Sequence, residues 1–216
     1  MPCRLLICGH GPEEEYLKSA ACAKHFAVHS GPESLRHTFD AVVSPRDMEE
    51  TYLPAFEACV READVEAVMG AYNRTNGEPC CGSKFLLVDT VRGRWGFEGH
   101  IVSDCWAIRD FHEGHMVTQT PAQSAALAME MGCDLNCGNT YLHMMQAYQE
   151  GLVTEEDITG LAAQLDALLE KLIANGGELS EEDLEQITGY YITTQDLEQD
   201  LEQGCGLSSA HWLEKA

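Results

Sequence analysis

Hydrophobic residues along this chain fall into short runs that end in polar residues, separated by stretches with helical spacing. From Ala20 to Val28 the chain is small and apolar except for Lys24-His25. It reads as a strand turned by Ser30-Gly31-Pro32-Glu33. Ser44-Pro45-Arg46-Asp47 is a helix start, with a serine cap, proline at the first helical position and an acid three residues after the cap. Pro54 should interrupt or restart that helix, after which Phe56, Cys59, Val60 and Ala63 keep helical spacing. Val65 to Met69 begins a second strand that ends in Ala71-Tyr72-Asn73, and Ser83 caps a helix through Phe85, Leu86 and Val91.

The third strand is Gly99-His100-Ile101-Val102-Ser103, and Asp104 sits where its apolar run ends. In parallel α/β folds the ligand crevice lies outside the carboxyl ends of the strands, so Asp104 is a candidate reactive group. A simple turn cap is the alternative, since Asp is favoured in turns for its own backbone hydrogen bonds. Thr120-Pro121-Ala122-Gln123 starts another helix, which should stop at Gly132, and Cys133 to Gly138 reads as a fourth strand. Four strands, each followed by a helical stretch, predict a parallel α/β sheet or part of a barrel. At 216 residues the chain is short of a full (β/α)8 barrel, which takes roughly 250.

Charge divides the chain. From Glu150 onward there are 16 acidic residues against Lys171 and Lys215. Thr154-Glu155-Glu156-Asp157 caps a helix whose Ile158, Leu161, Leu165, Leu168, Leu169 and Leu172 form one apolar face. Shorter helices are expected from Ser180 and from Thr193 or Thr194. A net charge of −23 argues against nucleic acid and anionic membrane surfaces as partners. No apolar run reaches the roughly 18 residues that span a bilayer, and Leu5-Leu6-Ile7-Cys8 is too short for a secretory signal. The expectation is a cytoplasmic chain with reduced thiols. No two cysteine pairs show zinc-ligand spacing, so no metal or other cofactor is expected.

Lys24-His25-Phe26, His29-Ser30-Gly31-Pro32-Glu33, Met69-Gly70-Ala71-Tyr72-Asn73-Arg74-Thr75-Asn76-Gly77 and Val102-Ser103-Asp104 resemble glycoside hydrolase family 3. The likeness runs from about Tyr16 to Ile158 and is closest to the β-xylosidase and β-glucosidase branch. It implies a TIM-type barrel and a retaining β-glycosidase acting on a β-linked oligosaccharide or glycoside. On this resemblance Asp104 matches the catalytic nucleophile, Lys24 and His25 the pair that holds sugar hydroxyls, and Tyr72 a tyrosine near the nucleophile. Trp106 matches a substrate-binding tryptophan displaced by one position, because Cys105 intervenes. Glu33 is a weaker candidate for touching the sugar.

The resulting expectation is an incomplete (β/α)8 barrel of about four βα units over residues 1–150, followed by an acidic helical tail over 151–216. Earlier barrel strands and the second domain that supplies this branch's general acid are not found in the sequence. His37 stands where another branch of the family carries a catalytic histidine, but Leu35 occupies the position of its aspartate partner. The expected function is therefore an impaired β-xylosidase or β-glucosidase. The alternative is a non-catalytic carbohydrate-binding remnant, or a fragment that self-associates or needs a partner chain to complete the barrel.

Overall fold

The computed structural model describes residues 21–29 and 31–163. Residues 1–20, the part of the expected Ile158 to Leu172 helix beyond residue 163 and the helices expected from Ser180 and from Thr193 or Thr194 lie outside the described residues. Among the described residues six strands occur in chain order: β1 (Cys22–Phe26), β2 (Asp40–Ala41), β3 (Ala67–Gly70), β4 (Arg74–Thr75), β5 (Glu78–Pro79) and β6 (His100–Ser103). β1, β3 and β6 form a parallel sheet in that order, with Gly70 beside Ser103 and Phe26 beside Gly70. All three carboxyl ends therefore share one edge.

The connections are helical for local reasons. Ser44 accepts a hydrogen bond from the Asp47 amide, Ser83 from Leu86 and Thr120 from Gln123, and each satisfies one of the free donors of a helix start. Between β1 and β3 the chain runs through Pro45–Asp47, a wider π-type turn at Met48–Tyr52 and the Pro54–Arg61 helix. The wide turn sits just ahead of Pro54, which has no amide hydrogen to carry an α-helical ladder onward. The Lys84–Arg94 helix, between β3 and β6, is also π-type, and Pro121–Glu130 follows β6. The chain is helical again from 155 to 163. There Thr154 and Asp157 exchange the expected capping bonds.

Phe26, Val68 and Ile101 of the sheet are fully buried and pack with Leu86, Leu87, Val91, Trp95, Ile108 and Phe111 in one core. Burying a large side chain contributes about 1.5–3 kcal/mol, so this cluster dominates the stability of the βα units. A smaller core joins Ala122, Ala125, Met144 and Ile158.

Two expectations need correction. Cys133 to Gly138 is not a full strand: the parallel pairing is a single bridge between Val102 and Leu135. The backbone bonds from Ser103 to Leu135 and from Leu135 to Ile101 form, but side chains take the neighbouring amides. Asp134 Oδ2 accepts from Ile101 N at 2.6 Å, and Ser103 Oγ accepts from Cys137 N at 2.9 Å. Thiols are not all reduced either, because Cys105 and Cys137 form a disulfide. An unforeseen feature is a second small sheet in which β4 joins β2 in parallel and β5 antiparallel. Its hairpin turns at Asn76 and Gly77, both with positive φ, the pattern that favours tight hairpins.

Candidate functional site

Asp104 follows β6 directly, and its amide donates to the Gly70 carbonyl at 3.1 Å, which ties it to the end of β3. Its Oδ1 accepts from the Cys105 amide at 2.8 Å. Its Oδ2 lies 3.3 Å from His25 Nε2, on the neighbouring end of β1. The turn-cap and reactive-group readings thus describe two oxygens of one carboxylate. One oxygen is spent on the turn and the other faces the sheet edge.

His25 is pushed below the usual imidazole range by burial, against the pull of the Asp104 charge; Lys24 and His29 push it the same way as burial. At neutral pH it is an uncharged hydrogen-bonding group beside the carboxylate. Tyr72 follows Gly70 by two residues, and the Asp104 amide bonded to the Gly70 carbonyl brings the Asp104 charge to bear on the Tyr72 phenol. Burial, reinforced by that carboxylate, holds the phenol above the ordinary range. Asp104, His25 and Tyr72, each from the end of a different strand, are therefore brought together. Lys24 is exposed and acts on the group through its charge beside His25.

Trp106 lies two residues past Asp104 with φ +69° and an indole that is 41% exposed. Its amide donates to the Cys137 carbonyl at 2.6 Å, and the adjacent Cys105–Cys137 disulfide locks the same turn to the neighbouring chain. Gly138, which touches Trp106, has φ +143°, a conformation that suits glycine. The Arg109 guanidinium stands 4.9 Å from the indole centre and covers one face. Glu33 turns to Arg36 at 2.8 Å and is largely exposed.

Asp134 does not share the rim with Asp104. It is buried and held by Arg92 Nη2 at 2.7 Å, below the sheet edge at the level of Ile101. Burial raises its carboxyl above the usual range while Arg92 and the Ile101 amide pull it back. A cavity of about 620 Å³ lined by Met129, Cys133, Asp134, Val153 and Leu161 opens on that lower side and contains none of the rim residues.

Sequence reading missed three partners. His29 Nδ1 lies 3.3 Å from Asn73 Oδ1, joining the loops after β1 and β3. Cys105 finds Cys137 across 32 residues. His37 Nδ1 lies 2.7 Å from Asp110 Oδ2, so the histidine has an orienting carboxylate even though Leu35 is not one. Cysteine spacing held a weak hint of the second pairing. No local pattern announces the other two.

The family pattern described as "Glycosyl hydrolase family 3 N terminal domain" matches residues 13–174. A "Xylan 1,4-beta-xylosidase" of Xylanibacter ruminicola is 45% identical over 152 residues, covering 68% of this chain and 18% of that protein. A "Beta-xylosidase/alpha-L-arabinofuranosidase 1" of Medicago sativa subsp. varia is 39% identical over 74% of this chain and 21% of its own length. Among solved structures, a GH3 exo-beta-xylosidase in complex with a xylobiose aziridine probe superposes with TM-score 0.67 at 28% identity, covering 80% of this chain and 24% of that one. A beta-glucosidase from Listeria innocua in complex with isofagomine gives TM-score 0.65 at 28% identity, over 77% and 24% of the two chains. The chain spans about a fifth of the length of the curated relatives it matches.

Proposed function

The chain belongs to glycosyl hydrolase family 3, and from that premise we propose that it supplies the nucleophile side of a retaining β-glycosidase site for β-xylosides or β-glucosides. The observation that carries this reading is the Asp104 carboxylate, set between His25 and Tyr72 at the shared carboxyl edge of three parallel strands. In the reaction, Asp104 Oδ2 attacks the anomeric carbon as the bond to the leaving oxygen breaks, giving a glycosyl ester that water then cleaves. Tyr72 and the neutral His25 orient the carboxylate, and any hydrogen bonds that strengthen as the ring gains positive charge lower the barrier. Lys24 and His25 hold sugar hydroxyls, and the open face of Trp106 receives the ring.

The βα units are, on this proposal, about half of a TIM-type barrel. The rest of the barrel and a proton donor for the leaving group come from further chain or from a partner. A second reading, carbohydrate binding without turnover, is favoured by the same rim, where Asp104 and His25 stand together near the exposed indole of Trp106.

A dinitrophenyl fluoroxyloside separates the two readings, because its leaving group needs no proton donor and the fluorine slows release of the sugar. The expected result is one covalent adduct in the intact mass, mapped to the peptide containing Asp104 and absent from Asp104→Asn. Saturable protection of the fold by xylobiose without any adduct would favour the binding reading and overturn the catalytic one.

A further inference from the structure

We propose that Asp110, His37 and Arg36 form a brace that sets Tyr72 against Asp104, making His37 a positioning residue for the nucleophile. The inference rests on Asp104 being the nucleophile, as argued above. It starts from a contact that spans 73 residues: His37 Nδ1 and Asp110 Oδ2 are 2.7 Å apart. The Asp110 side chain is 5% exposed, and a buried carboxylate with one such partner fixes both the ring orientation and the proton on Nδ1.

The other ring nitrogen is also engaged, since Arg36 Nε donates to His37 Nε2 at 3.3 Å. With both nitrogens held by protein groups, the ring is arranged as a strut rather than as a proton carrier. Its edge meets the Tyr72 ring at 4.9 Å and 70°, and the Arg36 guanidinium stands 5.0 Å from the same ring. An edge-on aromatic contact and a cation–π contact on the same ring together favour one ring orientation. Tyr72 in turn stands beside Asp104, whose amide bonds the Gly70 carbonyl at 3.1 Å two residues before it and whose charge helps to hold the phenol above its ordinary range. Backbone packing supports the assembly, because a Cβ at Gly114 would lie 2.1 Å from the His37 carbonyl, so the turn bearing Asp110 lies directly on the loop bearing His37.

This placement makes the Tyr72–Asp104 contact depend on His37, which touches neither the carboxylate nor the sugar. Nuclear magnetic resonance with tyrosine labelled at Cζ reads that contact directly, the Tyr72 signal being assigned by Tyr72→Phe. In the otherwise unaltered chain, Asp104→Asn should move the Tyr72 signal, because the phenol loses the neighbouring charge. In a His37→Ala background the same change should move it by less than half as much. Asp110→Ala should act like His37→Ala, whereas Asp110→Asn, which keeps an acceptor for Nδ1, should preserve the response.

His37 is about half exposed, so His37→Ala is expected to fold, and an equal response in both backgrounds overturns the brace. Labelling by the dinitrophenyl fluoroxyloside gives the kinetic counterpart, an expected slowing of about tenfold in His37→Ala, of the size of one hydrogen bond. If the unaltered chain takes no label while the resonance coupling is lost as expected, the nucleophile reading fails and the brace stands. If the chain labels and the coupling persists in His37→Ala, the brace fails and the nucleophile reading stands.

Discussion

Replacing Arg92 by methionine tests how the site's foundation is held. The guanidinium donates Nη2 to Asp134 Oδ2 at 2.7 Å and Nη1 to the Phe97 and Gly99 carbonyls at 2.8 and 2.6 Å. It thereby pins the loop that enters β6 to the chain carrying Leu135. Asp134 is 7% exposed, and breaking a buried pair by removing one partner costs about 3–5 kcal/mol. Arg92 is itself 30% exposed and Asp134 keeps the Ile101 amide, so the low end, about 3 kcal/mol, is expected at pH 7. That is roughly a hundredfold in the unfolding equilibrium.

The loss should depend on pH in a definite direction. The folded Asp134 carboxyl already lies above its ordinary value because of burial, and removing Arg92 raises it further. A carboxyl whose folded pKa is raised costs the folded state stability as pH rises from the unfolded value to the folded one, and the cost is complete above the folded value. The penalty of the variant is therefore full at neutral pH and shrinks as pH falls through the raised folded pKa. Near pH 4, about the unfolded value, only the lost carbonyl bonds remain, about 1 kcal/mol each. Urea unfolding followed by tryptophan fluorescence at both pH values measures the difference. Equal losses at the two pH values, with no recovery on adding Asp134→Asn to Arg92→Met, would refute the reasoning.

Two further outcomes follow from the packing. Gly114→Ala places a methyl group 2.1 Å from the His37 carbonyl, a backbone atom that cannot swing away, and should lower stability by about 1–3 kcal/mol in a thermal melt. Reduction of Cys105–Cys137 opens a cross-link spanning 32 residues and should cost about 3–4 kcal/mol. Melts with and without reductant should differ in the parent chain and coincide in the Cys105→Ser, Cys137→Ser double variant.

What could be read in the sequence was local. Ser44, Thr120 and Thr154 cap helices where their spacing to Asp47, Gln123 and Asp157 predicts it, and Ser83 caps through the Leu86 amide, because capping involves one turn of chain. The strand before Asp104 was legible for the same reason, and Asp104, which the resemblance matches to the nucleophile, stands 3.3 Å from His25. The hairpin at Asn76-Gly77 carried a usable signal that the reading absorbed into a motif instead. Other features depend on distant partners. Whether Cys133 to Gly138 becomes a full strand turns on Asp134 and Ser103 capturing amides of the opposite chain, and alternation of hydrophobicity is silent about that. Asp110 resembles any acid opening a short helix until His37 arrives beside it from 73 residues away.

Trp106 offers a surface that is already ordered before anything binds. Its backbone is held by the Cys137 carbonyl and by the adjoining cross-link, while Arg109 occupies one side of the indole. A ligand docking on the remaining side has little protein motion to freeze, so the entropy lost on binding falls mainly on the ligand. Rigid rings are favoured over flexible chains under that condition. Covering the exposed indole removes apolar surface from water, and the mark of such an event is a negative heat capacity change on binding. Temperature dependence of the binding enthalpy is thus where the contribution of this tryptophan would be seen.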